Sequence, residues 1–131
     1  MSADVAGDSG AAGHLGDAGD ATIFHNPRCS KSRQALELLR ERGVEPTIIK
    51  YLDTPPTVEE LRTLISDAGL TVRQAVRVKE AEFTELGLLE ASDDELLEAM
   101  VAHPKLIERP FVVTPKGTRL ARPTAAVEDI L

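Results

Sequence analysis

Hydrophobic and polar positions follow two different periods along the chain, and each change of period marks a predicted element. Residues 21–25 and 46–51 are short apolar runs typical of strands. Between them, residues 30–42 carry apolar side chains on one side at helical spacing, and Gly43 follows as a stop signal. These three segments predict a strand–helix–strand unit whose two strands are parallel.

The middle of the chain, about 57–103, predicts a group of helices inserted after that unit. Thr57 and Ser92 are each followed three residues later by a glutamate, which is the spacing of a capping box at a helix start. A further short helix is predicted over residues 71–77. Pro104 ends the last of these helices, because a proline disfavours helical backbone angles in the residue before it.

The C-terminal part returns to strand patterns. Residues 111–114 and 118–121 flank the turn residues 115–117, and this arrangement predicts a hairpin. Pro123 then opens a final helix. The order of elements predicts the α/β fold class, specifically a thioredoxin-like mixed four-stranded sheet flanked by helices, with a helical insert. Such a fold places the turn between its first strand and first helix at an edge of the sheet.

The first twenty residues differ in composition from the rest of the chain. They are mainly Gly, Ala, Ser and Asp, with four Asp and no Lys or Arg, and we predict that residues 1–20 form a disordered acidic tail. The remaining residues, 21–131, are predicted to form one domain. The tail lacks the basic start and apolar run of a secretory signal. No stretch approaches the roughly 20 apolar residues that span a bilayer. We therefore expect a soluble, cytoplasmic protein without a membrane partner.

The charge of the chain is unevenly distributed. The net charge is −7, and removing the four Asp of the tail leaves −3 on residues 21–131. Residues 80–98 are strongly acidic, whereas Arg28, Lys31 and Arg33 surround a cysteine. The chain has no basic run with interleaved aromatic residues, so we expect no nucleic-acid surface. We also expect a monomer.

Cys29, the only cysteine of the chain, is the centre of the predicted chemistry. It follows the turn signal Asn26-Pro27 and precedes the first helix, where unpaired N–H groups and the positive end of the macrodipole point outward. Such surroundings lower the pKa of a thiol and attract anions. The usual alternative for a lone cysteine is a small buried side chain, but the polar neighbours argue against it. We predict a reactive thiolate beside an anion-binding pocket.

Two neighbours of the cysteine are candidates for supporting its thiolate. Position 32 of the C-S-K-S sequence is Ser32, so no C-x-x-C disulfide can form and any disulfide chemistry requires a second molecule. The Ser32 hydroxyl could donate a hydrogen bond to the thiolate. His25 lies four residues before Cys29 and has three possible roles. It could help to stabilise the thiolate, it could be a purely structural histidine at a strand end, or it could bind a metal ion together with Cys29. Two ligands make a weak metal site, and we predict none.

Three arginines are candidates for binding an oxyanion, because the planar guanidinium group matches a tetrahedral oxyanion. Arg109 precedes Pro110, and an X-Pro bond at this place in the fold is a candidate for a cis peptide facing the active site. Arg122 also precedes a proline, and Arg77 ends a short helix of the insert. Most surface arginines are merely solvated, and spacing alone leaves that alternative open for all three.

Three separate motifs together resemble the glutaredoxin-coupled arsenate reductase family. They are H-N-P-R-C-S-K-S-R at 25–33, Y-L-D-T-P-P-T at 51–57 and R-P-F-V-V-T-P-K-G-T-R-L-A-R-P at 109–123. The resemblance extends from about residue 21 to the C-terminus. It implies a thioredoxin-like fold with a helical insert and the reduction of arsenate to arsenite, a reaction of arsenic resistance and detoxification.

The resemblance also implies the roles of individual residues. The implied nucleophile is Cys29, its supporting residues are His25 and Ser32, the oxyanion-binding arginines are Arg77, Arg109 and Arg122, and the structural cis-proline is Pro110. It implies a covalent Cys29–arsenate intermediate and glutathione followed by glutaredoxin as the reductant, with no metal or organic cofactor.

Other functions remain open from the sequence. A regulator of the Spx type, which binds RNA polymerase, is the main alternative within the same fold, although many such proteins carry a C-x-x-C switch that this chain lacks. A related thiol reductase of unknown substrate would share the cysteine turn without the arginine set. A thiol-transfer protein of the monothiol glutaredoxin type would need a glutathione site, which the sequence does not identify.

Overall fold

The computed structural model describes residues 21–131, so the predicted disordered tail lies outside the described residues. The described chain divides into two compact units. The first comprises the residues up to Ile49 together with Arg109–Leu131, and the second comprises Lys50–Glu108. None of the described helices is long and apolar enough to cross a membrane.

The first unit is built on a four-stranded sheet with the order β2-β1-β3-β4. Its strands are β1 (Thr22–Phe24), β2 (Thr47–Ile49), β3 (Phe111–Thr114) and β4 (Gly117–Leu120). The central strand β1 runs parallel to β2 and antiparallel to β3, and β4 runs antiparallel to β3. The predicted α/β fold class with a mixed four-stranded sheet is therefore confirmed, and so is the parallel strand–helix–strand unit at its start.

One face of this sheet is covered by α1 (Ser30–Glu41) and by a C-terminal 3₁₀ helix (Thr124–Ile130). Ile23 and Val112 oppose each other on adjacent strands, and both are fully buried. Helix and sheet side chains meet in one apolar cluster, because positions four apart on a helix share a face. The cluster consists of Ile23, Ala35, Leu39, Val112, Ala121, Val127 and Ile130.

The hairpin and the end of α1 follow from local signals. Gly43 has φ +79°, in the left-handed region that only glycine adopts easily, and it stops the helix as predicted, although the helix ends at Glu41, one residue earlier than predicted. Strand β4 starts at Gly117, one residue earlier than predicted. Thr114 Oγ1 accepts a hydrogen bond from Lys116 N (3.1 Å) and donates to the carbonyl of Ile130 (2.6 Å). The hairpin is thereby tied to the final 3₁₀ helix.

The second unit is entirely helical apart from one isolated bridge within its described residues. Its helices are α2 (Val58–Asp67), α3 (Val72–Ala75), α4 (Ala81–Glu85) and α5 (Asp93–Ala102), with 3₁₀ turns at Leu88–Glu90 and Pro104–Leu106. Capping boxes open α2 at Thr57 and α5 at Ser92, as predicted. The prediction that Pro104 ends the last helix is also confirmed, since α5 stops before it.

Two details of this unit differ from the sequence-based prediction. Helix α3 ends at Ala75 rather than at residue 77, because Val76 is extended and pairs with Ile107 in an antiparallel bridge. The acidic stretch that contains α4 and the turn Leu88–Glu90 was not predicted to be helical. These segments are five and three residues long, too short to show a helical period.

Candidate active site

The loop between β1 and α1 delivers the cysteine to the start of a helix. The backbone N–H of His25 still donates to the carbonyl of Ile49 (2.7 Å), which continues the alignment with β2. The chain then turns, and Cys29 N donates to the carbonyl of Asn26 (3.0 Å). The Asn26 side-chain oxygen accepts from Arg28 N (3.0 Å), which makes an Asx turn. Cys29 is thereby placed directly before the first residue of α1.

Cys29 occupies the N-cap position of α1, with extended backbone angles (φ −98°, ψ 123°). Its carbonyl accepts the first intrahelical hydrogen bond, from Arg33 N (3.0 Å). The first turn of α1 contains no acidic residue, so nothing in that turn neutralises the positive end of the helix. The Cys29 side chain is largely buried, at 9% exposure. The sulfur therefore lies where a negative charge is favoured.

The pKa of Cys29 is lowered from its ordinary value by the groups around the sulfur. Burial is the largest single influence and raises the pKa, but four others together outweigh it. They are the backbone N–H of Ser32, the charge of Arg109, the backbone N–H of Lys31 and a side-chain hydrogen bond from Arg109. The sulfur makes no capping hydrogen bond of ordinary geometry, so the two N–H groups act as nearby partial positive charges. The thiolate, the nucleophilic form of cysteine, is favoured.

Ser32 and His25 are both buried and bonded to each other. His25 Nδ1 lies 2.7 Å from Ser32 Oγ, and the same oxygen accepts from Asn26 N (3.0 Å). If His25 is protonated on Nε2, the Ser32 hydroxyl donates to Nδ1; in the other tautomer the ring donates. The backbone N–H of Ser32 acts on the sulfur, whereas the predicted hydrogen bond from its hydroxyl to the thiolate stays a prediction.

The sheet register brings two of the candidate arginines to this end of the first unit. Phe24, the last residue of β1, pairs with Phe111, the first residue of β3, so Arg109 lies beside the loop that follows β1. Ala121 N donates to the carbonyl of Pro110 (2.9 Å), which extends the β3–β4 ladder. Arg122 Nη1 then lies 3.4 Å from the carbonyl of Arg109, to which it donates. Arg109 is half-buried and Arg122 is exposed.

The X-Pro bonds at these two arginines share one geometry. The Arg109–Pro110 and Arg122–Pro123 peptides are both cis. Pro110 is buried, directly before β3, and Pro123 is exposed, at the start of the final 3₁₀ helix.

Arg77, the third candidate, belongs to the second unit. Its guanidinium group forms an ion pair with Glu80 (2.8 Å), and its backbone N–H donates to the carbonyl of Leu106 (2.7 Å). The role of Arg77 in binding an oxyanion stays a prediction.

Two contacts in the site were not predicted from the sequence. The turn at Asn26-Pro27 was predicted, but not the bond by which the Asn26 side chain shapes the cysteine loop. Lys31 acts on the sulfur through its backbone N–H, which no side-chain motif can reveal. Across residues 21–131 there is no group of three or more His, Cys, Asp or Glu side chains suited to holding a metal ion.

Comparison with known proteins gives consistent similarities over most of the chain. The ArsC family matches residues 24–130. An arsenate reductase of Rhizobium meliloti (strain 1021) is 56% identical over 112 residues, which cover 84% of this chain and 80% of the relative. An arsenate reductase of Escherichia coli (strain K12) is 54% identical, with 84% and 79% coverage. The solved structure of an arsenate reductase from Vibrio cholerae is similar with a TM-score of 0.82 and 50% identity, and the alignment covers 86% of this chain and 98% of that one.

Proposed function

The chain belongs to the ArsC family, and from this premise we propose that it reduces arsenate to arsenite through the thiolate of Cys29. One observation carries the proposal: a thiol of lowered pKa at a helix N-terminus, with the Arg109 guanidinium group acting on the same sulfur. A thiolate alone would be compatible with many reactions. A thiolate next to a group that binds oxyanions indicates attack on an oxyanion.

Arsenate is a doubly or singly charged tetrahedral oxyanion at neutral pH, and the first unit offers two kinds of donor for it. The N–H groups at the start of α1 favour negative charge. The guanidinium groups of Arg109 and Arg122 can each donate two parallel hydrogen bonds to one oxyanion. We propose that these groups hold arsenate for attack by Cys29. Arg77 is proposed as a third ligand on the family resemblance alone.

The first chemical step joins sulfur to arsenic. The Cys29 thiolate donates an electron pair to arsenic(V), and one arsenate oxygen leaves as water after taking up protons. The product is a Cys29–arsenate adduct in which arsenic is still pentavalent. The same donors that bind arsenate stabilise the charge on the remaining oxygens, because their geometry is set before the reaction begins.

The second step needs a thiol from outside, since the chain has one cysteine. The sulfur of glutathione attacks the Cys29 sulfur, the sulfur–arsenic bond breaks, and its electron pair remains on arsenic, which leaves as arsenite. Two thiol sulfurs are oxidised to a mixed disulfide while arsenic(V) becomes arsenic(III). A glutaredoxin thiol then exchanges with this disulfide and restores Cys29. Because these reductants act in a reducing compartment, we propose that the protein is cytoplasmic.

Arsenate reduction by the purified protein tests the proposal. The protein is supplied with glutathione and glutaredoxin, or with thioredoxin as the alternative donor, and arsenite is quantified. We expect turnover with glutathione and glutaredoxin, and none in the Cys29→Ser variant, which keeps the size but loses the nucleophile. Phosphate should compete for the site without being reduced. Residual activity of Cys29→Ser above about a tenth of the unaltered protein would contradict the assignment of the nucleophile, since removing a covalent nucleophile costs orders of magnitude.

A further inference from the structure

Asn26 makes three hydrogen bonds that hold the cysteine loop in shape. Its carbonyl accepts from Cys29 N (3.0 Å), and its backbone N–H donates to Ser32 Oγ (3.0 Å). Its side-chain oxygen accepts from Arg28 N (3.0 Å). Only the last of these depends on the side chain, so it is the contact that requires an asparagine or a residue able to imitate it.

Arg33 supports the same loop from the helix. Its guanidinium Nη1 donates to the carbonyl of Pro27 (2.8 Å), and its backbone N–H donates to the carbonyl of Cys29 (3.0 Å). Polar main-chain groups of Pro27, Arg28 and Cys29 are therefore each held by Asn26 or by Arg33. Both supports act on the segment that leads directly into the cysteine.

The position of the sulfur depends on this segment. The Cys29 backbone is fixed on one side through its N–H and on the other through its carbonyl, and together these contacts set the direction of the Cα–Cβ bond that carries the sulfur. Electrostatic attraction to the N–H groups of α1 falls with distance, and hydrogen bonds weaken steeply with angle. A loop that moved by even a fraction of an ångström would therefore weaken the stabilisation of the thiolate.

We propose that Asn26 is a positioning residue for the Cys29 thiolate, acting through its side-chain bond to Arg28 N, with the Arg33 guanidinium group on Pro27 as the second support. The proposal rests on the proposed function only in taking this thiolate as the reacting group. Asn26 is neutral, so its effect on the sulfur has to pass through geometry rather than through its own charge.

The test measures the reactivity of Cys29 directly. Rates of alkylation by iodoacetamide are recorded against pH for the unaltered protein and for Asn26→Ala, Asn26→Ser and Gln34→Ala. We expect the Asn26→Ala profile to move upward by about one pH unit, which is about a tenfold loss of rate at pH values below both midpoints. Asn26→Ser should move less, because a serine hydroxyl can accept the same N–H more weakly.

Gln34→Ala is the matched control, since it also replaces a neutral amide by alanine. Gln34 is exposed on α1, and its side chain lies 3.4 Å from the Thr124 hydroxyl. Its profile should coincide with that of the unaltered protein. An Asn26→Ala profile that also coincides would overturn the proposal, whatever happens to the stability of the variant measured by urea unfolding. Alkylation needs no arsenate, so a protein that fails to reduce arsenate but shows the predicted shift contradicts only the proposed function.

A second variant covers the case in which Asn26→Ala does not fold. Arg33→Gln alters an exposed side chain and removes its bond to Pro27. Its alkylation profile should also move upward, and the shift should persist at high salt, because exposed charges are screened there whereas a displaced loop remains displaced. Loss of the shift at high salt, or no shift at all, would overturn the role of the loop supports.

Discussion

Replacing Ser32 by alanine separates two effects that one residue has on the site. The Ser32 hydroxyl is bonded to His25 Nδ1 (2.7 Å) and to Asn26 N (3.0 Å), and the residue is fully buried. Its backbone N–H acts on the Cys29 sulfur and is unchanged by the substitution. We therefore predict that Ser32→Ala destabilises the first unit while most of the stabilisation of the thiolate remains.

The size of the destabilisation follows from the two contacts that are lost. Ser32→Ala removes the hydrogen bond between Ser32 Oγ and Nδ1 of the buried His25 ring, at a cost of about 1–3 kcal/mol. The Asn26 N–H is half-buried, so water can replace part of its bond, and its loss costs about 1 kcal/mol. Together they lower the free energy of unfolding by about 2–4 kcal/mol, a large part of the roughly 5–15 kcal/mol that holds a domain of this size.

Urea unfolding measures this change, with Ser30→Ala as the matched control. Ser30 is the first residue of α1 and is exposed, so its substitution should alter the free energy of unfolding by no more than about 0.5 kcal/mol. A Ser32→Ala loss no larger than that of Ser30→Ala would refute the energetic reasoning. Alkylation of Cys29 gives the second readout. A profile returned to that of an ordinary thiol would contradict the prediction that most of the stabilisation of the thiolate remains, and would show that the hydroxyl is needed, either directly or through its bond to the Asn26 N–H.

Three further predictions concern the arginines, the pH dependence and a helix cap. Arg109→Lys and Arg122→Lys keep the positive charge but lose the planar guanidinium group. Each should raise KM for arsenate by about tenfold, which is about the free energy of one hydrogen bond to a charged group. Unchanged initial-rate kinetics in both variants would contradict the proposed oxyanion site. Because folding lowers the pKa of Cys29, its contribution to stability is complete above the ordinary thiol pKa of about 8.5 and is lost as the pH falls through the lowered value. The difference in unfolding free energy between the unaltered protein and Cys29→Ser should accordingly shrink toward low pH in urea titrations, and the opposite slope would contradict the lowered pKa. Thr57→Ala removes a capping box and should cost about 1 kcal/mol in urea unfolding without changing Cys29 alkylation; an unaffected midpoint would contradict the cap.

Helix starts and the hairpin could be predicted because their signals are local. The capping boxes at Thr57 and Ser92 and the glycine after α1 each depend on a few neighbouring residues. A third box, in which the Thr71 hydroxyl accepts from Gln74 N, has the same spacing with glutamine in place of glutamate and was not predicted. The acidic segment with α4 was missed for a physical reason: one and a half helical turns do not complete an amphipathic pattern.

The cysteine loop was also predictable, since nine consecutive residues contain most of its contacts. A thiol after an Asn-Pro turn and before a helix has few conformations available, and the helix N-terminus lies beside it in all of them. The neighbourhood of Arg109 could not be predicted in this way. It depends on the order of strands in the sheet, and no spacing along the chain specifies that β3 rather than β4 lies antiparallel to β1.

The pairing register of the sheet accounts for this neighbourhood. Phe24 pairs with Phe111, and Phe111 pairs with Leu120, so the residues after β1, before β3 and after β4 meet at one end. A slip of one residue would turn every side chain of a strand to the opposite face. A slip of β3 would thereby take Val112 out of the apolar cluster that it shares with Ile23, and losing the burial of that side chain costs about 2 kcal/mol. The place of Arg109 beside the thiol is therefore fixed by buried side chains that take no part in the chemistry.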